Sequence, residues 1–140
     1  MAAKTLTKTS ITAEAAEQLL RAGEAKAREM GIPMVLAVVD ESGVLKAFSR
    51  MDGAALLSVQ IAQDKAYTAV SFGIPTHGWF DFIKDDPPLL HGIVNTPRLV
   101  VFGGGYPVQV DGAVVGGLGV SGGHYDQDMQ VAEAALAALG

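Results

Sequence analysis

The chain has 140 residues, no cysteine, a net charge of −5, 49% hydrophobic residues and a mean hydropathy of +0.30. That length builds one core, here a single domain over residues 1–140. The lack of cysteine excludes disulfides, thiolate metal sites and cysteine nucleophiles. Residues 1–50 hold seven Lys/Arg against six Asp/Glu and residues 51–140 three against nine, so no basic patch offers itself to nucleic acid.

Thr12 has the chemistry of an N-cap, with Glu14 and Glu17 in the turn that follows. Ala15, Ala16, Leu19, Leu20, Ala22, Ala27 and Met30 make a helical stripe that Gly31 ends. Met34 to Val39 is a continuous apolar run, which predicts a strand buried on both faces. Asp40-Glu41-Ser42-Gly43 is a hairpin turn, and Val44 to Met51 returns as the partner strand. Ala54 to Phe72 reads as a helix rich in small residues, stopped by Gly73-Ile74-Pro75. A short segment from His77 to Lys84 carries Trp79, Phe80 and Phe82. Asp85-Asp86-Pro87-Pro88 reads as a loop, because two prolines oppose both helix and ladder. Leu99 to Phe102 is expected as a strand. Tyr106 to Val110 pairs across Asp111-Gly112 with Ala113 to Val120, and Asp126 to Leu139 closes the chain as a helix. The order predicts an α+β domain: an antiparallel sheet of about five strands with helices packed on it.

The N-terminus has no continuous apolar stretch of the signal-peptide kind, and no run of 18 apolar residues occurs. A cytoplasmic protein with no membrane association is therefore expected. The apolar excess of so small a domain points to a homo-oligomer.

The candidate site residues cluster near turns. His77, His91 and His124 all fall on expected loops or element ends, either as ordinary loop histidines or as functional imidazoles. Their spacing matches no zinc motif, though one histidine in an apolar pocket suffices as a haem ligand. Gly122-Gly123, between a strand and an acidic helix start, serves either a tight connection or close approach to a carboxylate. Gly117 to Gly122 spells G-x-G-x-x-G on a hairpin arm and lacks the βαβ context of a dinucleotide site. Arg50 and Lys65 are either a salt-bridging and a snorkelling surface cation or a clamp for an anionic ligand. Trp79 with Phe80 and Phe82 is core, interface, or one wall for an aromatic ligand.

Several segments, in order, resemble one family. They are Val38-Val39-Asp40-x-x-Gly43, Arg50-Met51-Asp52-Gly53-Ala54, Lys65-Ala66-Tyr67-Thr68-Ala69 and Phe72-Gly73-Ile74-Pro75-Thr76. Gly103-Gly104-Gly105-x-Pro107-Val108 and Gly119-Val120-Ser121-Gly122-Gly123 with Gln127-Asp128 complete the set. Together they are similar to the GlcG/HbpS-type (DUF336-like, "haem-degrading") family across almost the whole chain. The resemblance implies a profilin-like α/β/α layer fold and homo-oligomers built from dimers. It also points to haem or a related tetrapyrrole as the small-molecule ligand. No haem-ligand motif comes with it. His124 is assigned as the metal ligand from its place on the glycine turn, with His91, Arg50, Gly122, Gly123 and Trp79 as further cofactor contacts. The alternative is a cofactor-independent lyase or isomerase acting on a small aromatic or hydroxylated carboxylate. There Arg50 or Lys65 holds the acid, His124 or His77 moves the proton, and the glycine-turn N–H groups steady the developing charge. A non-catalytic accessory protein is the third possibility.

Overall fold

The structure, a computed structural model, describes residues 2–140. Thr12 caps α1 (Ala13–Met30), its Oγ1 accepting from the Ala15 N–H at 3.0 Å, and Gly31 ends the helix in the left-handed region at φ 73°. The strands β1 (Val35–Asp40) and β2 (Leu45–Arg50) form the first hairpin, and β3 (Gly105–Val110) and β4 (Ala113–Ser121) the second. Asp111 and Gly112 both take positive φ in the second turn, the backbone that an Asp-Gly hairpin uses. β1 pairs antiparallel with β4, so the spatial order is β2-β1-β4-β3.

The sheet thus has four strands, not five. Leu99 to Phe102 runs beside helix α2 (Ser58–Phe72) without joining a ladder. The Thr68 hydroxyl of α2 holds it, donating to the Arg98 carbonyl at 2.7 Å and accepting the Val100 N–H at 3.0 Å. A second expectation also changes: Pro87 and Pro88 open helix α4 (Pro87–Gly92), which follows α3 (Gly78–Ile83). At the first helical positions a missing N–H costs nothing, because no partner lies upstream.

Helices cover both faces of the sheet. The helices α1 and α5 (Tyr125–Leu139) pack together on one face over Leu36, Val38, Leu118 and Val120. Helix α2 lies on the other, over Val35 and Ala37. Alternate residues of β1 therefore face opposite layers, which accounts for its unbroken apolar run. On the α2 face β4 presents Gly117 and Gly119 directly beneath the helix backbone.

One polar tie crosses from sheet to helix. The buried Tyr106 donates its hydroxyl to Glu133 Oε2 at 2.6 Å, joining β3 to α5. Burial first, and then Glu133, hold this phenol above its ordinary range. Tyr106→Phe is expected to lower unfolding free energy by about 1 kcal/mol in urea titrations. A raised phenol contributes fully below its unfolded value of about 10, and that contribution is lost as pH climbs from there through the folded value. The difference between wild type and variant should accordingly shrink beyond about pH 10.

Candidate functional site

A cavity of about 400 Å³ opens between α3, the 101–103 segment and the first residue of α5. His77, Phe80 and Asp81 line it from α3 and the residue before it; Phe102, Gly103 and Tyr125 line it from the opposite side. Phe80, Phe102 and Tyr125 are 53%, 42% and 45% exposed, high values for aromatic rings, so the cavity offers apolar walls. The Phe102 and Tyr125 ring centroids are 6.3 Å apart, and His124 stacks on Tyr125 at 4.1 Å.

Local sequence explains this convergence. Helix α2 ends at Gly73 (φ 72°), and Thr76 ties the chain to β3, its hydroxyl accepting the Gly105 N–H at 2.9 Å. That tie sets His77 beside the strand, with its ring 5.6 Å from that of Tyr106. Gly103 lets the backbone slip between two side chains, since a Cβ there would sit 2.7 Å from Met129 Cγ and 3.4 Å from His77 Cβ.

Beneath the cavity lies a buried ion pair. Lys65 Nζ donates to Asp128 Oδ2 at 2.8 Å and to the Val120 carbonyl at 2.9 Å, and it stands 5.1 Å from the centre of the Phe102 ring. Asp128 Oδ1 accepts the Gly123 N–H at 3.0 Å. Burial pushes the Lys65 ammonium down and the Asp128 carboxyl up, and their mutual attraction opposes both shifts.

His124 is the N-cap of α5. Its Nδ1 accepts the Asp126 N–H at 3.2 Å and its own N–H donates to Gln127 Oε1 at 3.0 Å. The glycine turn therefore does not present a free anion cradle, because the Gly123, His124 and Asp126 N–H groups already have side-chain acceptors. Gly122 answers to packing: a Cβ there would stand 2.7 Å from the Pro33 carbonyl oxygen and 2.9 Å from Met34 Sδ.

The other expected contacts scatter. His91 lies exposed on α4, outside the cavity lining. Arg50 ends β2, the edge strand opposite β3, in a depression it shares with Glu24, Arg28 and Asp52. Lys65 is wholly buried, where a snorkelling surface position was the ordinary expectation, and both partners it meets lie within the fold. Trp79 is 4% exposed and packs on Phe72 and Phe82 behind the cavity; its indole N–H has no partner among the described residues. Asp81, Phe102, Tyr125 and Asp128 are not among the site candidates drawn from sequence, although Asp128 lies in a segment of the family resemblance. Two of them carried a signal, since Phe102 and Tyr125 each adjoin a glycine turn.

No group of three or more His, Asp or Glu suited to a metal ion occurs among the described residues, so a metal here would rest on few protein ligands. No helix among those residues is long and apolar enough to cross a membrane.

Comparison with known proteins gives a consistent result. The chain is 43% identical over 129 residues to an uncharacterized 15.0 kDa protein from the dhaT-dhaS intergenic region of Citrobacter freundii, covering 91% of this chain and 90% of the relative. The crystal structure of Klebsiella pneumoniae protein ORFY superposes with a TM-score of 0.92 at 35% identity, over 99% of this chain and 97% of that one. A crystal structure of PduOC in complex with haem matches at a TM-score of 0.85 and 37% identity, over 93% and 95% of the two chains. The family model described as haem degrading protein HbpS-like matches residues 11–137. On fold, sequence and extent alike, the chain belongs to the HbpS-like family.

Proposed function

We propose that this chain binds haem or a related tetrapyrrole in the cavity between α3 and the start of α5, where His77 would be the residue to hold its iron. The observation that carries the reading is the convergence of exposed aromatic walls on one imidazole. Phe80, Phe102 and Tyr125 offer faces for a flat macrocycle, and His77 makes no capping hydrogen bond that would hold its ring. His124 is the second candidate. Its Nδ1 lone pair is engaged by the Asp126 N–H, so Nε2 carries the proton in the neutral ring and would have to lose it to bind iron. A haem complex of a relative 37% identical to this chain supports the same ligand class.

The bound group would supply its iron, and the chain the apolar walls and one nitrogen donor. No lysine or arginine lines the cavity among the described residues, and Lys84 pairs with the lining Asp81 at 3.4 Å. Degradation of the ligand is the finer form of this reading, and Asp81 is the acidic group in the lining. The small-carboxylate enzyme has less support, because Arg50 stands at the other sheet edge and Lys65 is already paired. The exposed Leu56, Leu57, Phe72 and Phe82 favour assembly into a homo-oligomer.

Haem titration of the apo-protein tests the reading. Wild type should develop a stoichiometric Soret band, unchanged in His91→Ala. His77→Ala should bind about 100-fold more weakly or worse, beyond the ~10–100-fold typical of losing a supporting residue. A spectrum that stays that of free haem throughout the titration of wild type would overturn the haem reading. Loss in His124→Ala alone would move the ligand to that residue.

A further inference from the structure

Lys65 and Asp128 sit in two of the segments that carry the family resemblance, 63 residues apart, and meet beneath the cavity. An ammonium has three protons to place. Two go to the Val120 carbonyl and to Asp128, and the remaining side of the group faces the Phe102 ring. Asp128 in turn fixes the Gly123 N–H, just ahead of the helix that starts with Tyr125. Gly104 closes over the pair with φ 123°, and a Cβ on it would stand 2.6 Å from Nζ. Four parts of the chain are thereby pinned to one point: mid-α2, the end of β4, the glycine turn, and the 102–104 loop.

A buried pair of this kind adds little net stability over well-packed apolar residues, since desolvation offsets the attraction. What it supplies is direction. We propose that Lys65 and Asp128 are positioning residues for the cavity, holding the Phe102 ring from below and the start of α5 beside it. The gap between the Phe102 and Tyr125 walls is thereby set before any ligand arrives. The inference rests on the cavity being the ligand site proposed above.

The double variant Lys65→Met/Asp128→Leu removes both charges and keeps the volume apolar. It is expected to unfold at a urea midpoint near that of wild type. It should nevertheless lose the NOE contacts between the Phe102 and Tyr125 rings in the apo-protein, bind haem about tenfold more weakly and shift the Soret maximum. Lys65→Gln/Asp128→Asn, which keeps hydrogen-bonding groups at both positions, should restore most of that loss. Wild-type NOEs and wild-type haem affinity in the apolar double variant would overturn the proposal. Should that variant fail to fold, the wild-type protein still decides. Its Lys65 ammonium 1H–15N signal should move when diamagnetic gallium protoporphyrin is added, and a signal that stays fixed while the porphyrin binds would overturn the role. A wild type that takes up neither porphyrin sinks the haem reading alone, and the apo-protein NOEs then judge the positioning role by themselves.

Discussion

Gly119→Ala is expected to destabilise the fold by about 3 kcal/mol or more, because the added methyl group meets helix backbone. Gly119 sits mid-sheet, opposite Ala37 on one side and Gly105 on the other. A Cβ there would run into the Ala62 carbonyl oxygen and lie 2.6 Å from the Ala66 nitrogen. Both are backbone atoms of α2, so no rotamer change relieves the clash and the whole helix would have to lift. Lifting it would open the layer formed by Ala62, Val35 and Ala37. Overpacking commonly costs about 1–3 kcal/mol, and a clash with helix backbone belongs at or above the top of that range. Thermal and urea unfolding followed by circular dichroism would measure it. Gly92→Ala is the control, since a Cβ there meets nothing within 4 Å and its backbone is helical. It should be neutral or stabilise by up to about 1 kcal/mol. A Gly119→Ala protein within about 1 kcal/mol of wild type would mean that α2 rides higher on the sheet than described.

The same glycines show where sequence reading succeeds and where it stops. The G-x-G-x-x-G string does lie on a hairpin arm, as its context predicts, and its Gly117 and Gly119 serve helix-on-sheet contact. That use depends on α2, some 50 residues earlier, and no local pattern announces it. Local signals were read well: Thr12 and Gly31 bound α1, and Asp111-Gly112 turns the second hairpin. Two errors came from treating local chemistry as decisive. Pro87-Pro88 signalled a loop but begins α4, and Leu99 to Phe102 has strand composition but is held by the Thr68 hydroxyl. The site was legible only in part. His77 lines the cavity and His124 stacks on its Tyr125 wall, whereas the topology sends His91 and Arg50, equal candidates on sequence, elsewhere. Lys65 reads in sequence as a surface cation or an anion clamp, and neither reading foresees an internal ion pair whose partner is 63 positions away.

Lys65→Met alone is expected to destabilise the fold by about 3–5 kcal/mol, the cost of leaving one member of a buried ion pair without its partner. Asp128, 2% exposed, would keep only the Gly123 N–H of its present contacts. The Lys65 charge is what now opposes the upward push of burial on that carboxyl, so its removal should raise the Asp128 pKa further. The sign of the pH dependence follows. A carboxyl whose folded pKa lies above its unfolded value stabilises the fold at low pH and ceases to do so as pH rises through the folded value. The deficit of Lys65→Met relative to wild type should thus be largest at neutral pH and narrow on acidification, as the stranded carboxyl takes up a proton. Adding Asp128→Leu should recover most of the loss at pH 7, because the second change removes the group that could not be solvated. Urea titrations of the three proteins at pH 5 and pH 7 would read all of this. A single variant within about 1 kcal/mol of wild type, or a deficit that widens in acid, would show that water reaches Asp128 and that the pair is not the closed, dry contact its geometry describes.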